Sequence, residues 1–378
     1  MSAQTQPDRG QVLIDPSTPA ENGGLDNINF ELILYENSQI QDPADQIYTV
    51  VGKLGEGRWG QVYEVSLPNP SGGDPLLYAM KISKSTRDSL EQFQYETQAL
   101  AYIKANSSDE DLQYVSDVHA YFQYQGHICI VLDKCGPSTL SFLQAIEYSG
   151  LPLNLVQSVL RDVLTALKNL ANLSIIHCDV KPENICALND TSSHVKLVDF
   201  GSCVVVNTIQ NTYTQSRYYR APEVALHLEY DTKADVWSTG CVAAELMLGL
   251  PLFPAESERH LICLIAQMLG PYPANMREQT ERHDELFMPD ETLKSAEILC
   301  LENDENFVNY QPYFIHEHLD DIIMNYAYPD DMTDEQISVE MEHRRVFIDL
   351  LQQMLQIDPA LRITADVALQ HPFLSLPL

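Results

Sequence analysis

Basic residues are scarce in this 378-residue chain: 22 Lys and Arg stand against 54 Asp and Glu, a formal charge of −32. That balance argues against a nucleic-acid-binding surface, because phosphate contacts draw on clustered Lys and Arg. Long apolar runs are missing too. The greasiest stretch, GCVAAELMLGLPLF, falls short of the ~18 residues a membrane helix needs and carries Glu245. The opening MSAQTQPDRG lacks the basic region and apolar core of a secretory signal. Eight cysteines are scattered without the CxxC pairing of a zinc site or the density of a disulfide scaffold. The expectation is a reduced intracellular protein of cytoplasm or nucleus, engaging neither nucleic acid nor membrane.

What the chain does hold is a globular composition, 45% hydrophobic and 20% charged, unlike a disordered or collagen-like chain. Its length exceeds one ordinary core, so two lobes are expected. Residues 1–25 are rich in Gln, Pro, Ser, Gly and Asp and read as a disordered tail, with 26–46 as an extension. FELILYEN and IYTVVGKLGEG have strand character, and QVYEVSL and LLYAMKIS follow, separated by the turn-forming PNPSGGDP. SLEQFQYETQALAYI places Leu90, Phe93, Leu100 and Ile103 on one helical face. VHAYFQY and HICIVLD complete a strand-rich lobe.

From Ser138 onward the pattern turns helical. LVQSVLRDVLTALKNLANL is amphipathic, and TKADVWSTGCVAAELMLG is apolar nearly all round and so expected to be buried. HLICLIAQMLG and RRVFIDLLQQMLQ follow. Between Glu281 and Glu342 stand 18 acidic residues against two basic ones, too long a stretch for a simple connection. It reads as an insertion with its own local packing. No internal repeat is found. The expected class is α+β, a small antiparallel-sheet lobe with one helix ahead of a larger helical lobe.

Chemistry enters at Gly55-Glu56-Gly57-Arg58-Trp59-Gly60. A dinucleotide site would open a helix directly after the glycines. Here QVYEV continues as strand, which makes a flap able to lie over phosphates. A P-loop, ending in Gly-Lys-Ser/Thr, is absent. Lys81 lies in the run expected as the third strand, where an ammonium is costly unless it meets anions. Glu96 on the following helix is its natural partner, with Glu91 the runner-up.

The strongest signal is IIHCDVKPENI with KLVDFGS. His177, Asp179, Lys181 and Asn184 share one loop, and Asp199 follows fifteen residues after Asn184. An amide oxygen, a carboxylate and phosphate oxygens make a hard oxygen site that suits magnesium. A second carboxylate and a lysine suit a hydroxyl nucleophile and a negatively charged transferring group.

In this order the motifs resemble those of the eukaryotic protein kinases, including Ala221-Pro222-Glu223, Asp235 in DVWSTG and Arg362 in DPALRIT. Arg220 and the acidic insertion are similar to the CMGC group. Within it, IIHCDVKPENI, with Cys178 where most kinases have Arg, and TYTQSRYYRAPEV resemble the dual-specificity tyrosine-regulated kinases. LDNINFELILYEN and LDDIIMNYAYPDD look most like their Yak branch, and RRVFIDLLQQMLQIDPALRIT suits the homeodomain-interacting relatives as well. CGPSTLSFL and HLICLIAQMLGP keep the LAMMER and SR-protein kinases as a rival branch.

The resemblance implies a bilobal kinase domain over 47–373, with an N-lobe at 47–132, a hinge at 133–137 and a C-lobe at 138–373. The insertion falls at about 275–342. ATP and Mg2+ are the implied cofactors, with ATP between the lobes. Leu54, Gly55, Gly57 and Gly60 would cover the nucleotide, and Val62, Ala79, Cys186 and Val198 would wall the adenine. The backbone of Asp133 and Cys135 would take the adenine edge. Leu132 stands where these kinases usually have a bulky aromatic gatekeeper. Lys81, held by Glu96, would contact the α- and β-phosphates, and Asn184 and Asp199 would hold the metal. Asp179 would accept the proton of the substrate hydroxyl, and Lys181 would stabilise the γ-phosphoryl group. The resemblance also implies Ser/Thr substrates, followed by proline, in proteins bound by a monomer.

Two features refine that expectation. The acidic late segment could favour Arg-bearing partners or be only a solvated face. Of the Tyr-x-Tyr pair common in the activation segment, Asn211 occupies the first place and Tyr213 is retained. Self-phosphorylation is expected at Tyr213, its phosphate pairing with Arg217 and Arg220 because Cys178 removes the usual arginine clamp. Cys178 and Cys203 are expected to be inert buried thiols. The rival from another class is a kinase-like scaffold without phosphotransfer. It predicts loss of Lys81, Asp179, Asn184 or Asp199, and all four are present.

Overall fold

The computed structural model describes residues 10–189, 191–206, 214–302, 314–328 and 332–378. It divides into two compact units, one ending at Cys135 and the other beginning at Gly136. Each is built on its own core.

The first unit is a six-stranded antiparallel sheet among the described residues, with the order β1-β2-β3-β4-β6-β5. Its strands are β1 Gln39–Gln41, β2 Ile47–Glu56, β3 Gly60–Leu67, β4 Leu76–Ser83, β5 Val118–Tyr124 and β6 His127–Asp133. The runs QVYEVSL, LLYAMKIS, VHAYFQY and HICIVLD all appear as strands, as their β-branched and aromatic content predicts. Helix α1, Arg87–Asn106, starts at Thr86, whose side chain accepts from Ser89 N, and has Asp88 in its first turn and Lys104 in its last. Those placements satisfy an orphan donor and complement the helix dipole. Phe93, Leu100 and Ile103 are buried along it as the spacing predicts, and Leu90 is half-buried.

One face of the sheet carries Tyr63, Val65, Met80, Ile82, Cys129 and Val131, packed against Leu32 and Leu34 from the extension. Here two expectations are corrected. FELILYEN is not a strand: Leu32 and Leu34 do alternate inward, but the segment pairs only through isolated bridges at Leu32 and Tyr35. Left-handed backbone at Phe30 and Asn37, with φ of 62° and 65°, interrupts a continuous ladder. The expected disordered tail is ordered from residue 10. Ile14 is buried, Leu13 N bonds Leu34 O at 3.0 Å, and Glu36 N bonds Gln11 O at 2.9 Å. Polar composition concealed a few apolar anchors; residues 1–9 lie outside the described ones.

The extension is pinned by side chains too. His127 is wholly buried, one ring nitrogen 2.9 Å from Asp26 Oδ1 and the other 2.7 Å from Ser83 O. Ser85 donates to the same Asp26 at 2.5 Å, and Lys84 meets Glu31 at 3.3 Å.

The second unit is mainly helical, around helices Leu153–Asn172 and Lys233–Leu248. Every residue of Ala234–Leu248 is buried, as an all-round apolar pattern requires. That helix stops at Gly249, whose φ is 72° and where a Cβ would lie 1.8 Å from Tyr148 O. Only glycine fits there. Small two-stranded ladders, β7 Ile175–Ile176 with β10 Val204–Val205 and β8 Ile185–Ala187 with β9 Val195–Leu197, frame the loops that carry function.

The acidic insertion has its own helices, including Ala274–Gln279, Ala296–Glu302 and Leu319–Met324. The buried Arg344, in helix Asp334–Met354, donates to the carbonyls of Ile323, Met324 and Tyr326. It thereby caps the end of helix Leu319–Met324. No helix among the described residues is long and apolar enough to cross a membrane.

Candidate active site

In the first unit the strand register sets out the candidate residues. Gly55 on β2 faces Val62 on β3, Val62 faces Lys81 on β4, and Ala79 on β4 faces Leu132 on β6. Cross-strand partners share a face, and residues two apart on a strand do as well. Val62, Ala79, Lys81 and Leu132 therefore lie on one face, opposite the one covered by the extension. The glycine turn closes with Gly57 N bonded to Gly60 O at 2.9 Å. Gly60 is obligatory, since a Cβ there would lie 2.2 Å from Ile82 O and 2.8 Å from the Phe93 ring. A Cβ at Gly55 would meet nothing within 4 Å, and at Gly57 only Gly60 O at 4.0 Å. That side of the turn has room for a phosphate chain to approach the backbone. Leu54 beside it is 48% exposed.

Lys81 Nζ donates to Glu96 Oε1 at 2.6 Å, with the Glu96 side chain only 2% exposed. Glu91 instead pairs with Arg87 on the surface, so Glu96 is the partner. Asp133, ending β6, receives His119 Nε2 at 2.7 Å, and its N–H bonds Asp117 O at 3.2 Å. Cys135 is half-buried at the unit's end.

In the second unit the catalytic-type loop hangs from the helix Lys233–Leu248. Asp235, in its first turn, accepts His177 N at 2.6 Å and Cys178 N at 3.0 Å. Burial pushes its carboxyl up to about 7 even against those two donors. Cys178 sits at φ 63°, a strained backbone that this double bond holds in place. His177 Nε2 donates to Val198 O at 3.1 Å, and its Nδ1 accepts Asp179 N at 3.2 Å. Burial lowers the pKa of this ring, which stays neutral. Phe200 packs edge-on against it, centroids 4.9 Å apart. Cys178 and Cys203 are buried free thiols, and burial pushes the Cys178 thiol well up.

Asp179, Lys181 and Asn184 come together. Asn184 Nδ2 donates to Asp179 O at 2.8 Å and Oδ2 at 2.9 Å, and Lys181 Nζ lies 2.8 Å from Asp179 Oδ2. Ser216, thirty-seven residues along, donates to Asp179 Oδ1 at 2.7 Å and accepts Lys181 Nζ at 3.3 Å. Sequence reasoning missed Ser216, because nothing local to QSR marks it.

The β8–β9 hairpin explains how Asn184 and Asp199 meet. Ile185 pairs with Leu197, and Val198 N bonds Asn184 O at 2.9 Å, placing Asp199 one residue beyond that contact. Asp199 adopts φ 65° and accepts Gly201 N. Because Asn184 commits its amide nitrogen to Asp179, its oxygen is left as the donor for a cation. One amide oxygen and one carboxylate are the sparse hard-oxygen set that magnesium completes with phosphate and water. Among the described residues, no group of three or more His, Cys, Asp or Glu could hold a metal alone, and such a site needs none. Cys186, half-buried on β8, and half-buried Val198 flank this hairpin.

The activation segment departs from expectation. Asn211 and Tyr213 lie outside the described residues. Arg220 was expected to meet a phosphate on Tyr213, but its guanidinium is buried and committed. It donates to Thr214 O at 2.8 Å, Gln215 O at 2.9 Å and Glu258 Oε1 at 2.6 Å. Arg217 gives Nη1 to the carbonyls of Ala255 and Glu256, while its Nε has no partner among the described residues. Further on, Glu223 and Arg362 form a fully buried two-pronged ion pair at 2.6 and 2.8 Å.

Comparison with known proteins agrees with this geometry. The protein kinase domain family matches residues 48–374. The serine/threonine-protein kinase ppk15 of Schizosaccharomyces pombe is 33% identical, over 96% of this chain and 68% of its own length. The dual specificity protein kinase YAK1 of Saccharomyces cerevisiae is 33% identical, over 98% of the chain and 47% of its own. Homeodomain-interacting protein kinase 2 of Mesocricetus auratus is 36% identical, over 87% and 28%. The chain thus spans from about a quarter to about two thirds of the length of such relatives. The similarity falls on the Yak and homeodomain-interacting branches that its motifs resemble.

Proposed function

Since the chain belongs to the protein kinase domain family, we propose that it is a catalytically active, ATP- and magnesium-dependent kinase for serine and threonine in proteins. The observation that carries this reading is the Asp179 carboxylate, gripped by Asn184, Lys181 and Ser216 on a loop pinned to Asp235. Asp179 orients an incoming hydroxyl and receives its proton. Lys181 sits beside it to stabilise charge on the transferring group, and Lys81, fixed by Glu96, holds the nucleotide phosphates. Magnesium, held by Asn184 and Asp199, would neutralise phosphate charge. Most of the rate gain on this reading is positioning and electrostatics rather than covalent chemistry.

The test is ADP release by the purified chain with magnesium and a degenerate Ser/Thr peptide pool. Asp199→Asn should keep the parent circular dichroism spectrum and lose at least about a hundredfold in turnover. Nucleotide binding without ADP release by the parent would instead favour the scaffold.

We further propose proline after the target residue, and self-phosphorylation on Tyr213, both supported by the resemblance to dual-specificity kinases. Arg217, with an unspent donor, is the first partner for a phosphate on Tyr213. Arg220 meanwhile holds the start of the described segment through Thr214 and Gln215. A degenerate peptide array reads residue type and flanking preference together.

A further inference from the structure

A cavity of about 510 Å³ opens in the second unit between the helix Glu258–Leu269, the insertion helix Leu319–Met324 and the end of the helix Asp334–Met354. Its walls are apolar: Met268, Pro271, Leu319, Leu355, Ile357 and Leu361. Leu319, Leu355 and Ile357 are buried, whereas Leu361 is 70% exposed. An aliphatic side chain that open beside an apolar recess is a cost the fold gains nothing from, and exposed apolar surface next to a pocket marks a binding face.

Two carboxylates rim the recess. Asp320 accepts Gln352 Nε2 at 2.8 and 2.9 Å, and Asp358 accepts Asn275 Nδ2 at 3.0 Å and Ala360 N at 2.8 Å. Both partners are neutral amides, and neither carboxylate forms an ion pair among the described residues. The walls are fixed, because Arg344 caps the end of the helix that carries Leu319 and Asp320.

We propose that this recess docks a linear peptide segment bearing one large aliphatic side chain flanked by arginine. The aliphatic group fills the recess beside Leu361, and guanidinium groups meet Asp320 and Asp358. Arginine suits the rim better than lysine, since its planar fork bonds a carboxylate twice. The cavity supplies the apolar anchor, and unpaired rim charge in a chain of net charge −32 sets the sign of the partner. The proposal concerns binding and stands apart from phosphotransfer.

The test is fluorescence polarisation of the full chain with a fluorescein-labelled Gly/Ser dodecapeptide carrying one leucine between two arginines. Leucine→Ser and arginine→Glu versions of the peptide serve as comparisons. The parent peptide should bind, and each altered peptide should bind at least about tenfold more weakly. Leu361→Ser and Asp358→Asn should each weaken the parent peptide by about fivefold to tenfold, with melting temperatures unchanged. Absent binding by the parent peptide overturns the proposal, as does equal binding of the leucine→Ser peptide, which would mean only general attraction to an acidic surface. So does undiminished binding to Leu361→Ser. Light scattering that shows a dimer abolished by Leu361→Ser would assign this face to a second copy of the chain and overturn it too.

Discussion

Ser216 places its hydroxyl 2.7 Å from Asp179 Oδ1 and 3.3 Å from Lys181 Nζ, bridging the two groups expected to handle the proton and the phosphoryl charge. A hydroxyl in that place fixes the carboxylate rotamer and keeps the ammonium from collapsing fully onto it. Ser216→Ala should lower kcat about tenfold to a hundredfold with little change in the KM for ATP, and Ser216→Thr should restore most of it. Steady-state kinetics of the three proteins decide the matter. A Thr variant as impaired as Ala would show that the hydroxyl is not what matters.

Lys81 and Glu96 make the corresponding pair in the first unit. Lys81→Met removes the phosphate contact and strands a buried carboxylate, so kcat/KM for ATP should fall at least about a hundredfold. Glu96→Gln keeps a hydrogen-bond acceptor and should cost less, about tenfold. Equal losses in the two variants would contradict a role for Lys81 beyond its ion pair.

The Glu223–Arg362 pair is entirely out of water. Breaking one side leaves an uncompensated charge inside, so Arg362→Ala should lose about 3–5 kcal/mol in urea unfolding. Arg362→Met combined with Glu223→Gln should recover part of that loss. A single variant as stable as the parent would mean that water reaches the site.

Glu245 is the pH-sensitive element of the second core. Burial, with Glu183 nearby, pushes its carboxyl from an ordinary value near 4.5 up to about 7, against the Tyr219 hydroxyl donating at 2.7 Å. Between those values the folded chain keeps a proton that the unfolded chain releases. The stability linked to this group is thus full below about pH 4.5 and is lost as pH rises through about 7. Glu245→Gln cannot lose it. Its urea midpoint should match the parent near pH 5 and exceed it at pH 8, by up to roughly 3 kcal/mol. The reverse order at pH 8 would refute the assignment.

Self-modification at Tyr213 is checked by intact mass of freshly expressed protein. The parent should carry one phosphate that Tyr213→Phe lacks, and Arg217→Ala should lower the parent's activity toward that of the Phe variant. An unmodified, fully active parent would remove this switch.

Much of this site can be read from the residues in order, and the reason is local. The glycine turn, Lys81, the 177–184 loop and Asp199 are short motifs whose chemistry depends on spacing within a hairpin or loop. The Leu32/Leu34 alternation correctly told which side chains turn inward but not that the segment bridges rather than extends the sheet, because period two reports facing, not pairing. Ser216 and the Glu258 partner of Arg220 depend on chain distant in sequence, where no pattern points. Arg220 itself looked like a phosphate ligand until its burial and three acceptors placed it as a brace.

The strands matched to the family begin at residue 48, yet Leu32, Leu34 and Ile40 sit in the same cluster as Tyr48, Val50 and Met80. Asp26, upstream of them all, supplies the acceptor for the interior imidazole of His127. A version trimmed to the recognisable kinase segment would therefore open one whole side of the sheet to solvent and leave a ring nitrogen dangling inside. The minimal polypeptide able to stand alone starts well before its recognisable sequence does, and shortened versions should come out of expression sticky and easily proteolysed.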